Sequence, residues 1–206
     1  MKRAILIPGL ALLLLTACQS GTKKDQKETA ENKTTQVADP ARDSTDIRNI
    51  VLSFYSWYRL NYEKLLKFDL YNGEKKKDEP PFKMDWEVVK QYKQFLRDSI
   101  PQLGETFQAN LDHLLKKADS SLHQLGAGEV PDYFDYDWYL YSQEDGAYLF
   151  EEMKKSTNWA ISVNGDDARV EVKGFDEGGT RPPATVISLQ MKREGGIWKI
   201  AKIGDM

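Results

Sequence analysis

One cysteine and two histidines are all that 206 residues offer to thiol or soft-metal chemistry. The lone Cys18 can form no intramolecular disulfide, so the fold must be held by noncovalent forces. His113 and His123 fall on one helical pattern, about 80° apart around the axis and nearly three turns apart along it, too distant to share an ion. Zinc-ligand spacing, a phosphate-cradling glycine loop and the G-x-S-x-G nucleophile elbow are all missing. The GAGE segment at 126–129 fits a helix stop better than a nucleotide loop. No cofactor is expected, and enzymatic activity is not expected. Basic stripes are missing too: Lys75, Lys76 and Lys77 form the densest run, but Glu74, Asp78 and Glu79 flank it, and the chain carries a formal charge of −3. Such a surface does not suit nucleic acid.

Aromatics are absent before Phe54. The chain opens instead on Lys2 and Arg3, an apolar run from Ala4 to Leu15, and the tetrad Leu15, Thr16, Ala17, Cys18. A run this short reads as a secretory signal rather than a retained span. The tetrad resembles the bacterial lipobox, which implies cleavage before Cys18, a diacylated thiol and a lipid-anchored mature chain. Two or more acyl chains hold a protein stably, where one holds it only marginally. Cleavage would also remove Lys2 and Arg3, making the mature chain more acidic by two charges. Gln19, rather than Asp, follows the cysteine, which by resemblance to enterobacterial sorting implies the outer membrane. Residues 1–17 are therefore read as signal peptide and 18–45 as lipidated cysteine and disordered tether. From Gln19 to Thr45 the segment holds five basic and five acidic residues and no aromatic, too little apolar surface to offset ordering entropy. As a flexible coil it spans roughly 25 to 30 Å.

Residues 46–206 suit one domain. Asp43, Ser44 and Thr45 offer capping oxygens to a first helix whose Ile47, Ile50, Val51, Phe54 and Tyr58 share one face. A Lys- and Pro-rich loop from Tyr71 to Met84 separates it from a second helix, capped by Asp85, carrying Val88, Val89, Tyr92, Phe95 and Leu96, and stopped by Pro101. Phe107, Leu111, Leu114, Leu115, Ala118, Leu122 and Leu125 predict a third helix ending at Gly126. After residue 157 the helical period gives way to alternation. Trp159, Ile161 and Val163, a turn at 164–167, then Ala168, Val170 and Val172 predict one hairpin. Thr185, Ile187, Leu189 and Met191, the REGG turn and IWKIAKI predict a second, beyond the loop at 174–183. Helices first and strands afterward predict an α+β fold, N-terminal helices on a curved antiparallel sheet.

The stretch DYFDYDWYLYSQED at 132–145 crowds acids among aromatics. Read as an extended strand, 133–141 would place Asp135, Asp137 and Tyr139 on one face and Tyr136, Trp138 and Leu140 on the other. A half-buried strand or turn explains that pattern without an ion. Exposed aromatics contacting a protein or glycan are the second reading. The third is a cation site on Asp132, Asp135 and Asp137, with Glu144 and Asp145, a spacing that lacks the glycine turn and terminal glutamate of an EF-hand loop.

IVLSFYSWYRLNY at 50–62, the 132–145 element and ISLQMKREGGIWKIAKI at 187–203 together resemble the bacterial lipoprotein family of domain of unknown function 3828. The resemblance covers roughly residues 46–203 and implies a cone-shaped domain of the nuclear-transport-factor-2-like or cystatin-like type. It carries over no catalytic residue. Such a cone encloses a concavity, and Tyr55, Trp57, Tyr58, Tyr136, Trp138 and Tyr141 are the candidate ligand- or partner-binding residues, with Trp159 and Trp198 expected nearby. The expected function is a non-catalytic, membrane-anchored envelope lipoprotein that binds an envelope protein partner or a periplasmic ligand. The alternatives are a small-molecule-binding or weakly hydrolytic cavity protein using Asp135 or Asp137, and an inhibitor or immunity-type lipoprotein. The anchor is the most direct of these expectations to check: Cys18→Ser should abolish incorporation of labelled palmitate and release the protein from washed membranes. Unchanged labelling would remove the lipobox.

Overall fold

The structure, a computed structural model, describes residues 40–72, 80–126, 129, 133–134, 136–141, 144–174 and 185–205. These belong to the second of two units, Val37–Met206. The signal segment, Cys18, Lys75–Lys77, Asp132, Asp135 and most of the 174–183 loop lie outside the described residues. Four helices, α1 (Pro40–Leu65), α2 (Trp86–Ser99), α3 (Glu105–Leu122) and α4 (Gly146–Lys155), precede four strands, β1 (Trp159–Asn164), β2 (Asp167–Lys173), β3 (Thr185–Glu194) and β4 (Ile197–Ile203). The strands form an open antiparallel sheet in the order β1-β2-β3-β4. The fold is α+β, as the element order predicts.

The helix α1 starts six residues before the expected boundary at 46, so residues 40–45 belong to the helix rather than to the tether. Pro40 suits a first helical turn because its fixed φ is already helical and its missing N–H would be unpaired there anyway. Asp43 is not a cap. It is 5% exposed, and its Oδ1 accepts from Arg193 Nη2 at 2.7 Å and from Trp198 Nε1 at 3.0 Å. That tertiary pair orders a turn whose own composition gives no sign of it. Further along, Ile47, Val51, Phe54, Tyr55 and Tyr58 are buried, and Ile50 is half-buried.

Local chemistry decides α2 as expected: the Asp85 carboxylate accepts from Glu87 N and Val88 N, each at 3.1 Å, and Ile100 ends the helix ahead of Pro101. The stripe of α3 is buried from Phe107 to Leu122, but the helix stops there rather than at Gly126, and His123 caps it with Nδ1 on the Asp119 carbonyl. Burying each such side chain contributes about 1.5 to 3 kcal/mol. Helix α4 carries no counterpart among the expected elements. Asp145 caps it through Ala147 N and Tyr148 N, and Leu149, Phe150 and Met153 anchor it.

Both hairpins close where the alternation predicts, with Gly165, Gly195 and Gly196 at positive φ in the turns. Ala168, Val170, Val172, Ile187, Leu189 and Met191 are buried on one side of β2 and β3. The register of β3 and β4 skips Ala201, and the Ala201 carbonyl is taken by Asn110 Nδ2 at 2.8 Å. The outer edge of β4 is covered by the α2–α3 connection, with Ile200 N donating to Gln102 O and Gly104 N to Ile200 O. A paired edge offers no template to another chain.

The tip of the second hairpin also holds α3. Gly104, at the N-cap, has no side chain to offer, and Glu194 replaces it by accepting from Glu105 N at 2.8 Å and Thr106 N at 2.9 Å. A Cβ on Gly104 would stand 2.6 Å from the Glu194 carboxylate, so the glycine makes room for its own substitute cap. Burial alone raises the Glu194 carboxyl, but the amides of Thr106 and Glu105 outweigh it and hold the group below its ordinary 4.5. Asp43 is held below 3.8 by the Trp198 indole, against the opposing effect of burial, with Arg193 adding to the lowering. Both folded values are depressed, so the unfolded chain takes up these protons first as the solution is acidified. The stability they supply is present above the ordinary carboxylate values and lost as pH falls through the folded ones. Urea unfolding followed by circular dichroism should show a midpoint level with pH above 4.5 and falling below 3.8. In Asp43→Asn combined with Glu194→Gln the acid slope should flatten; an unchanged slope would place the acid sensitivity elsewhere.

Candidate functional site

The latter half of α1 carries Tyr58, Tyr62 and Leu65, with Leu66 just beyond its end, spaced to face one way. Together with Phe68, Leu70 and Tyr92 of α2 they form one wall of a cleft of about 540 Å³. The other wall is Phe134, Tyr136, Asp137, Trp138, Tyr139, Leu140 and Glu144. Tyr62 is 44% exposed, Leu66 71% exposed, and Glu144 is exposed, so these three stand at the mouth.

Of the two forms expected at 133–141, strand or turn, the described residues do not take the extended strand. Asp137 instead opens a single helical turn: its Oδ1 accepts from Tyr139 N at 2.7 Å and Leu140 N at 3.2 Å, and Tyr141 N returns to the Asp137 carbonyl at 2.7 Å. Trp138, Tyr139 and Leu140 are therefore all buried in succession, which no alternating strand allows. Tyr141 closes the turn at φ 49°, 43% exposed, its ring against Tyr136 and Gly204. A Cβ on Gly204 would lie 2.3 Å from that ring. The capping geometry repeats that of Asp85 and Asp145, an Asp whose carboxylate takes the amides two and three residues on.

Tyrosine hydroxyls from α1 and α2 fasten this turn. Tyr58 donates to Asp137 Oδ2, Tyr55 donates to the Tyr139 carbonyl at 2.9 Å, and the Tyr92 and Tyr139 hydroxyls bond to one another. Burial pushes the Tyr55, Tyr58 and Tyr139 phenols well up; the negative charge of Asp137 adds to this at all three, directly after burial for Tyr55 and Tyr58. Tyr92 is also raised, chiefly by burial, against a lowering by its bond to Tyr139.

Of the sequence candidates, Tyr58, Tyr136 and Trp138 line the cleft, as does Asp137. Tyr55 is buried behind it, Trp57 packs on Phe95 at 6.5 Å between centroids, and Tyr141 lies beside rather than in the lining. Trp198 serves the Asp43 anchor and Trp159 lies under Arg48, away from this lining. Glu144, one of the candidate cation-ligating acids, also lines the cleft, whereas Tyr62, Phe68 and Phe134 are lining residues that sequence patterns did not single out; the continuation of the α1 stripe from Tyr58 to Tyr62 is the one signal that pointed there. Among the described residues no group of three or more His, Cys, Asp or Glu is placed to hold a metal ion. Both Asp137 oxygens already accept from the chain itself. The described lining has no Ser, Thr, Cys or His; it offers aromatic faces, phenolic hydroxyls and two carboxylates.

No family model matches the chain, and no curated protein or solved structure matches it.

The raised phenols carry a sign opposite to the carboxylates. Their stabilising contribution is complete below the ordinary tyrosine value of 10.0 and is lost as pH rises through the folded values. Ultraviolet titration should show a distinct late phase, above the ordinary 10.0, in which Tyr55, Tyr58, Tyr92 and Tyr139 ionise only as the chain unfolds. Tyr58→Phe, which leaves an Asp137 oxygen without its donor, should cost about 1.5 kcal/mol in urea denaturation. A single ionisation phase, or a Phe variant as stable as the parent, would contradict the network.

Proposed function

We propose that this chain is a non-catalytic bacterial envelope lipoprotein whose α+β domain binds a small ligand in the aromatic cleft. The supporting observation is the cleft itself. Its volume of about 540 Å³ falls within the roughly 300 to 1,000 Å³ usual for small-molecule sites. A concavity packed solid by its own aromatics would favour a protein partner, whereas this one is open, largely aromatic and carries a few converging polar groups. The domain is assigned to the nuclear-transport-factor-2-like or cystatin-like type on the motifs at 50–62, 132–145 and 187–203, a reading compatible with helices preceding an open antiparallel sheet. Acyl chains on Cys18 hold it at a membrane, in the outer-membrane assignment suggested by Gln19. With α1 beginning at Pro40, the tether shortens to residues 19–39, a reach of roughly 25 Å as a flexible coil.

A thermal-shift screen of small molecules tests the proposal. A ligand at a hundred times its Kd should add about 2.7 kcal/mol of stability. Its effect should vanish in Tyr62→Ala combined with Phe134→Ala. Hits that survive that substitution would move the site elsewhere. An envelope protein captured by a photo-reactive group at Tyr136, with no small-molecule hit, would replace the ligand reading by the partner reading.

A further inference from the structure

The chain is consistent in how it treats its own charges outside the cleft. Arg48 lies over Trp159 at 4.9 Å, Arg59 over Phe150 at 4.8 Å and Arg193 over Trp198 at 4.4 Å. The buried carboxylate there, Asp43, is met by the same Arg193 at 2.7 Å. Aromatic faces and a buried acid are thus each given a cation from within.

The described lining of the cleft is built of the same materials. Of its 14 described residues eight are aromatic and two are carboxylates, and among them none is Lys, Arg or His. The donors to Asp137 are two backbone amides and the Tyr58 hydroxyl, all neutral. Neutral donors orient a carboxylate and leave its charge in place, and that charge is felt by Tyr55, Tyr58, Tyr92 and Tyr139, whose phenols it helps to raise. The faces of π systems carry negative potential as well, so rings and carboxylate act with one sign. An anionic ligand such as a phosphate or carboxylate would meet only repulsion here. Leu65, Leu66 and Leu70 add apolar lining that an inorganic ion would not use.

From this charge complementarity we infer that the cleft binds an organic cation, a substituted ammonium group enclosed by the rings of Tyr62, Phe68 and Trp138 beside Asp137, with its apolar portion along the leucines. This inference rests on the ligand-binding reading and adds the chemical class. It also accounts for the aromatic and acidic composition of the 134–144 wall without a metal.

The test compares choline with its uncharged carbon isostere, dimethylbutanol, by calorimetric titration of the purified full chain, with empty detergent micelles as blank. The pair has one shape and differs in charge, so preference reads the cation directly. Choline should bind at least about tenfold more tightly, the factor expected of a cation–π and carboxylate site. Asp137→Asn, whose amide oxygen can still accept from Tyr139 and Leu140, should erase most of that preference, and circular dichroism should show the fold kept. If that variant does not fold, Tyr62→Leu, which removes a ring at the exposed mouth, should still reduce the preference. Equal binding of the two probes would overturn the cation inference and leave the ligand-binding reading standing. Binding of neither probe would also overturn it, and a blank thermal-shift screen beside that result would remove the ligand-binding reading as well.

Discussion

The contact between the Tyr58 hydroxyl and the Asp137 carboxylate joins two parts of the chain that local chemistry alone would leave apart. Asp137 by itself can cap a turn, as Asp85 and Asp145 do, but those caps start helices of 14 and 10 residues and this one starts a single turn. One turn is too short to persist on its own hydrogen bonds. Its permanence comes from α1 and α2, whose tyrosines take one carboxylate oxygen, one carbonyl and one hydroxyl of residues 137 and 139. The wall of the cleft is therefore a tertiary object, and its aromatic lining stands where it does because buried phenols need partners.

A second set of contacts works at the opposite end of the sequence order. Arg193 and Glu194, neighbours at one hairpin tip, face different helices: one takes the Asp43 carboxylate of α1, the other supplies the cap of α3. Because a charged side chain at a helix start also interacts favourably with the helix dipole, Glu194 satisfies orphan amides and field together. Arg193 is itself braced on Trp198 and lies 3.5 Å from Asp166 of the first hairpin. The sheet and the helices are thus registered to each other by polar contacts at the hairpin tip, while the apolar stripes supply most of the burial.

What could be read in advance follows from how local each cause is. The α3 stripe, the Asp85 cap and both hairpins depend on spacing and turn residues within a few positions, and they appear where expected. The start of α1 does not, because Asp43 is ordered by residues near the other end of the chain. Helix α4 is only ten residues long with three buried anchors, too brief a period to stand out from the aromatic run before it. The 133–141 segment stayed open between strand and turn for a sharper reason. Alternating acids and aromatics fit a strand and a capped turn equally well as text, and only the hydroxyl donors of Tyr55, Tyr58 and Tyr92 decide between them. The cleft was legible in part through Tyr58, Tyr136 and Trp138, while the wall from Tyr62 to Phe68 required knowing that α1 outruns its core.

The Asp43 contacts span 150 and 155 positions, to Arg193 and Trp198. A ribosome releases the first of these partners early and the others almost last. During synthesis the opening turn of α1 has no mate, and neither does the Gly104 end of α3, which waits for Glu194. Local stripes can form helices meanwhile, but closure of the domain is deferred until the final hairpin emerges. A chain lacking the residues from Arg193 onward would leave both helix starts unfastened at once.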